Sequence, residues 1–330
     1  MTIYSIAEEA GVSASTVSRV INNKPGVNAK TRELVRGLLE KYHYRPDVAA
    51  RGLVKGNTKI VGILIADIRN PHYTEGAYII ERSISKSDYN TLIFNTGTET
   101  AAIKKSIDSL VSRKPTAVVM IGSTYQTSSV KKLIQENIPD IPVVLVNGYI
   151  DLPNVYGLVV DEQKGVEGCV DFLAAKGHRR VVFVNDANTV SNMKKEQGYI
   201  DGVIRHGGEW TPVVVTLAAV NSREESIRET KRLLETHPET DAIIYANDLI
   251  ATGGITALRE LGKRVPEDVS VIGINNSPYA EICYPRLTSL DNKQIGLSTT
   301  CAQIILNALN NEQVPHRYLI YSDLVERDST

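Results

Sequence analysis

Cysteine is scarce. The 330-residue chain has three, Cys169, Cys283 and Cys301, far apart and never in a CxxC pair. This excludes a disulfide framework and a zinc site, and it fits a reducing cytoplasm. No run approaches the ~20 apolar residues that span a bilayer, so no membrane partner is expected. Residues 1–6 show no basic stretch followed by an apolar one, the mark of a secretory signal. Catalytic signatures are missing too: there is no GxxxxGK[ST], GxGxxG, HExxH or GxSxG. The six histidines are scattered, and only His72 falls near an expected pocket. An enzyme, a metal and a cofactor are therefore not expected. The chain also ends without a heptad tail, which favours a homodimer over a higher oligomer.

What is present is a lopsided charge. The total is −1, yet up to Lys59 ten basic residues face five acidic ones, so that segment is +5 and the remainder −6. A small basic head on an acidic body points to a polyanion as the head's partner.

The head has local signals for three short helices. Thr2 can cap a first, with Ile3, Ile6, Ala7 and Ala10 at helical spacing. Gly11 ends it, and Ser13 caps a second whose inner face is Val17, Val20 and Ile21. Asn28 caps a third, with Leu34, Val35, Leu38 and Leu39 expected to point inward. The tight Gly11-Val12-Ser13 turn is what a helix-turn-helix needs. The second helix presents Ala14, Ser15, Ser18, Arg19 and Asn22 outward and has no acidic residue at its N-terminus. Arg19 can fork onto guanine O6 and N7, and Ala14 and Ser15 are short enough to meet thymine methyls or single base edges.

The run from Ile3 to Asn22 (IYSIAEEAGVSASTVSRVIN), followed by NAKTRE from Asn28 and YRPD from Tyr44, resembles the headpiece of the lactose/galactose-repressor (LacI/GalR) family. The resemblance implies that the second helix lies in the major groove, with Ala14, Ser15 and Arg19 reading bases. It implies that Thr2, Ser13, Thr16 and Asn22 hold the phosphate backbone. The stretch from Asp47 to Asn57 resembles the family's hinge helix, which enters the minor groove. Ala50 and Leu53 occupy the wedging positions there. Gly52 and Gly56 each cost a helix about 1 kcal/mol relative to alanine, so such a helix would form only conditionally.

Beyond Lys59, Val/Ile-rich runs alternate with amphipathic helical stretches. Nine strands are expected, at 60–66, 91–95, 117–121, 143–146, 157–161, 181–184, 213–217, 242–246 and 269–274. Helical patterns lie between them, for example at 164–176, 222–236 and 249–261. Continuous apolar runs fit parallel strands covered on both faces, and nine are many for one sheet. The expected fold is therefore an all-α helix-turn-helix headpiece plus a two-lobed α/β body of doubly wound parallel sheets. Its segments are a headpiece at 1–46, a hinge at 47–58 and a body at 59–330. The first lobe takes about 59–160 plus 291–318, and the second about 161–290 plus 319–330. Ligands in such sheets sit beyond the C-terminal strand ends.

The body also resembles the LacI/GalR family, in GILIADIRNPHY from Gly62, KGHRRV from Lys176, ANDLIA from Ala246 and LGKRVPEDVSVIG from Leu261. It is similar to the periplasmic sugar-binding fold used as a dimerising sensor. Strand ends and resemblance together nominate His72, Tyr73, Ser123, Asn147, Asp161, Lys195, Asn221, Asn247 and Asn275 as effector-binding residues. Three depart from the family pattern: Lys195 stands where arginine is usual, Asn275 where aspartate is common, and Asn221 where an aromatic often stacks. Lysine is a point charge where arginine would fork, and this motivates a phosphorylated or anionic effector. The expectation is a cytoplasmic DNA-binding regulator, a repressor of a pseudo-palindromic operator, modulated by a sugar-like small molecule. The alternative is the same regulator controlled mainly by a protein co-effector.

Overall fold

The structure is a computed structural model, and it describes residues 2–44, 58–207 and 210–330. The chain divides into two compact units, Met1–Thr58 and Lys59–Thr330. The expected hinge residues Ala50 and Leu53 lie outside the described residues.

The first unit is built from α1 (Ile3–Glu9), α2 (Ala14–Ile21) and α3 (Ala29–Lys41). Each starts on the cap read from sequence. The Thr2, Ser13 and Asn28 side chains accept from the amides of Ser5, Thr16 and Thr31. Such caps satisfy otherwise orphaned helix N–H groups. Gly11 has φ +63°, a conformation that costs glycine little, and this lets the chain turn sharply into α2. The core is Ile6, Ala7, Val17, Val20, Val35 and Leu38. Leu34 is 50% exposed rather than inward, because α3 buries the Val35–Leu38 stripe and its neighbour rotates off that face. Lys41 Nζ and Tyr42 Oη both donate to Glu9 Oε1, at 2.9 and 3.0 Å, tying the end of α3 to the end of α1.

The second unit holds two six-stranded sheets. The first comprises β1 (Ile60–Ile65), β2 (Asn90–Asn95), β3 (Ala117–Ile121), β4 (Val143–Val146), β5 (Val155–Val160) and β11 (Arg317–Ile320). Its order is β11-β5-β4-β3-β1-β2, all parallel. The second comprises β6 (Val181–Asn185), β7 (Val214–Thr216), β8 (Ala242–Tyr245), β9 (Ser270–Ile274), β10 (Thr288–Asp291) and β12 (Asp323–Val325). Its order is β12-β10-β9-β8-β6-β7, parallel except for β12. Three of these strands go beyond the nine expected. β10, β11 and β12 are short, and Ser, Thr, Asp and Arg interrupt their apolar pattern.

Both faces of the first sheet are covered. On one side α4 (Pro71–Ile84) and α12 (Gln294–Leu309) bury Ala77, Ile80, Ile84, Leu297 and Ile305 against Ile63 and Ile65. On the other, α5 (Thr100–Val111) and α6 (Ser128–Asn137) bury Ile107, Leu110 and Ile134 against Leu64 and Met120. The alternation of Ile63, Leu64 and Ile65 between the two clusters is the period-two pleat of a strand. In the second sheet α7 (Glu162–Ala175), α8 (Val190–His206), α9 (Arg223–Thr236), α10 (Asp248–Glu260) and α11 (Pro278–Ile282) accompany the strands around one cluster.

The chain passes between the sheets three times: after β5 at Asp161, after β10 near Asn292, and after β11. The last passage follows Ile320, slightly later than the expected 318, because β11 pairs with β5 as far as Ile320–Val160.

Candidate DNA-reading face and ligand cleft

In the first unit α2 keeps Val17 and Val20 in the core and leaves Ser15, Arg19 and Asn22 exposed, with Ala14, Thr16 and Ser18 half-buried. The Ser13 hydroxyl lies 2.7 Å from Ser15 Oγ and 2.9 Å from Thr16 Oγ1, so the helix start is a cluster of hydroxyls and free amides. No acidic residue occupies its first turn. The helix dipole and this donor cluster make that end receptive to phosphate. Among the described residues no carboxylate pairs with Arg19. Asn22 donates through Nδ2 to the Ser18 carbonyl at 2.7 Å, which closes the C-terminal turn.

In the second unit the carboxyl ends of the strands open onto a cleft between the two sheets, a cavity of about 620 Å³. That is within the range of small-molecule sites. Of the nine residues nominated from sequence, eight line it: His72, Tyr73, Ser123, Asn147, Lys195, Asn221, Asn247 and Asn275. Asp161 does not. Its carboxylate instead accepts from the Lys164 amide at 3.2 Å, capping the helix that follows it, α7.

The neighbouring Glu162 enters the cleft instead, and only 1% of it is exposed. Its Oε1 accepts from Ser191 Oγ at 2.7 Å, Asn292 Nδ2 at 3.2 Å and Asn147 Nδ2 at 3.3 Å. Lys195, 5% exposed, places Nζ 3.6 Å from the same oxygen and donates to the Ala246 carbonyl at 3.1 Å. The donors come from the residue just after β4, from α8 and from the passage between lobes, so this one carboxylate is gripped by both halves of the body.

A second carboxylate, Asp186, follows β6. It accepts from Asn192 Nδ2 at 3.2 Å, Asn247 Nδ2 at 2.8 Å and the Asn221 amide at 2.9 Å. At the mouth, Arg69 Nε and Nη2 fork onto Asp67 at 2.9 and 2.7 Å, holding that carboxyl below its usual range. Burial, and secondarily the Lys195 charge, push the His72 imidazole down to about 4, so it is neutral near pH 7. Burial, with Asp186 and Asp67 nearby, raises the Tyr73 hydroxyl to about 12. The Tyr73 ring lies against Gly122, at φ +116°, where a Cβ would come within 2.9 Å of the ring.

Glu162 and Asn192 are site members that the sequence reading does not reach. Asp67, Arg69 and Asp186 lie in the polar strand-end loops expected to face the cleft, though they are not among the nine nominated residues. Glu162 reads as an ordinary acidic residue in the first turn of a helix, and nothing local separates it from one.

A capped helix-turn-helix and a two-lobed α/β ligand cleft on one chain define a DNA-binding transcriptional regulator with an effector domain. Family models agree in both halves: residues 2–47 match the bacterial regulatory proteins of the lacI family, and 170–330 match a periplasmic binding protein-like domain. An HTH-type transcriptional regulator from Lachnoclostridium phytofermentans is 31% identical over 100% of this chain and 99% of its own length. Catabolite control protein A from Priestia megaterium is 27% identical, covering 96% of this chain and 97% of its own. Among solved structures, the lac repressor dimer bound to operator and the anti-inducer ONPF superposes with a TM-score of 0.87. It covers 100% of this chain and 98% of that one at 22% identity. The chain belongs to the lacI family of bacterial regulatory proteins. Its relatives are regulators, not enzymes.

Proposed function

We propose that the protein is a cytoplasmic transcriptional repressor that binds a pseudo-palindromic operator as a homodimer and is modulated by a sugar or sugar derivative in the interlobe cleft. The observation that carries the reading is the cleft itself, where amides, hydroxyls and carboxylates from the strand ends of both sheets converge beside the Tyr73 ring. Convergent donors and acceptors around an apolar face suit a polyhydroxylated ligand. The lac repressor structure, a dimer on operator with a small molecule bound, supports the dimer and operator by family likeness.

In the head, Ala14, Ser15 and Arg19 read base edges, and Thr2, Ser13, Thr16 and Asn22 position the backbone. Two copies would place their α2 helices about one helical turn apart on the DNA. Effector binding that favours one lobe arrangement would shift the equilibrium between DNA-competent and DNA-incompetent dimers.

The test is selection of bound sequences from a random DNA pool, followed by titration of the winning site with a panel of sugars. The reading requires an inverted-repeat site and at least one compound that changes its affinity. A selected site with a single half, or no enrichment at all, would overturn it.

A further inference from the structure

Each cation facing the cleft already has a carboxylate partner. Arg69 is forked onto Asp67, and Lys195 stands 3.6 Å from Glu162 with another of its protons on the Ala246 carbonyl. His72 contributes no charge near neutral pH, because its ring titrates at about 4. Asp186 then adds a carboxylate held by three N–H donors and, among the described residues, ion-paired with no cation. Of the charged residues lining the cavity, Asp67, Glu162 and Asp186 outnumber Arg69 and Lys195.

We propose that Glu162 sets the charge specificity of the cleft, masking Lys195 so that the floor accepts an uncharged polyhydroxy ligand and rejects phosphorylated or otherwise anionic ones. This rests on the interlobe ligand site proposed above and names its ligand class. An ammonium has three protons. One goes to Ala246 and one faces Glu162, which leaves one for a ligand hydroxyl. A phosphate at the same place would meet Lys195 only together with the Glu162 and Asp186 charges, in a pocket where water screens them poorly. Lysine in place of the family's usual arginine is then a neutralised donor rather than an anion anchor.

The test compares wild type, Glu162→Gln and the double variant Glu162→Gln/Lys195→Met by isothermal titration calorimetry with inorganic phosphate, then with neutral sugars and their phosphates. Glutamine keeps an acceptor for Ser191 and removes the charge. Glu162→Gln is expected to bind phosphate at least about tenfold more tightly than wild type, a difference of about 1.4 kcal/mol. The double variant should lose the gain, which separates cleft binding from binding at the basic head. Wild type binding phosphate as tightly as Glu162→Gln would overturn the proposal, and so would a well-folded Glu162→Gln without the gain. Should Glu162→Gln not fold, wild type alone decides: displacement of a bound neutral sugar by its phosphate contradicts the masking, and indifference to the phosphate supports it. The two readings fail differently. Wild type taking sugar phosphates sinks the charge rule and keeps the sugar-derivative reading. A wild type blind to every sugar, beside a Glu162→Gln that gains phosphate, sinks the sugar reading and keeps the charge rule.

Discussion

Lys195 Nζ lies 3.6 Å from Glu162 Oε1, and both side chains are almost wholly buried at the floor of the cleft. Glu162 stands where the chain first leaves one sheet for the other, and Lys195 comes from the first half of α8. A buried pair of this kind is costly to break from one side, since the remaining charge is left without its partner. Lys195→Met should therefore destabilise the body by about 3–5 kcal/mol. Adding Glu162→Gln should recover part of that loss, which is the signature of a coupled pair. Urea denaturation of wild type, both single variants and the double measures the coupling. Strictly additive losses would mean that the two groups do not interact.

Arg19 is the exposed cation on the face of α2, and no described carboxylate competes for it. Arg19→Ala should cost about 1–3 kcal/mol at one base pair per half-site while leaving the other positions discriminated as before. Competition binding against a set of single-base operator variants reads this directly. A uniform weakening across all sequences would make Arg19 a phosphate contact instead.

His72 gives the body a pH dependence of known sign. Its ring titrates at about 4 when folded and near the ordinary 6.5 when unfolded. Between those values the unfolded chain binds more protons, so the contribution is intact above about 6.5 and is lost as pH falls toward 4. Asp248 acts oppositely. Burial raises its carboxyl to about 6, so its contribution is full below 3.8 and is lost as pH rises through 6. The two partly cancel in wild type, and a His72→Gln variant separates them. Thermal melts from pH 7.5 to 4.5 should show wild type losing about 1–3 kcal/mol relative to His72→Gln. A difference that stays constant over that range would contradict the neutral, buried ring.

At Gly198 α8 packs directly against the backbone of α7. A Cβ there would lie 2.9 Å from the Gln163 carbonyl carbon and 3.0 Å from its Cα, both backbone atoms that cannot swing aside. Gly198→Ala should cost about 1–3 kcal/mol through overpacking, despite alanine's better helix propensity. Equilibrium denaturation decides the sign, and a stabilised variant would show that the two helices separate freely.

The features readable from sequence are those with local causes. Thr2, Ser13 and Asn28 announced their helices because a cap needs only its own next three residues. The Val/Ile runs of β1, β3 and β4 announced a doubly covered sheet because burial on both faces leaves no polar alternation. What failed depends on partners far along the chain. β11 joins the first sheet against β5, and β12 pairs antiparallel with β10, so their short polar-interrupted segments are strands only through those neighbours. Glu162 was missed for the same reason. Its site role comes from Asn147, Ser191, Lys195 and Asn292, none within ten residues of it, while the adjacent Asp161, nominated in its place, serves its own helix. Leu34 shows the limit of pattern at single-residue precision, since one step around α3 carries it from core to solvent.

An anisotropy titration of the protein on its selected operator, with and without neutral sugars and at two salt concentrations, tests DNA reading and effector coupling together. Sequence-specific binding that weakens with salt and that one neutral sugar shifts by about tenfold or more is expected. Binding to the selected site no tighter than to random DNA would contradict this expectation.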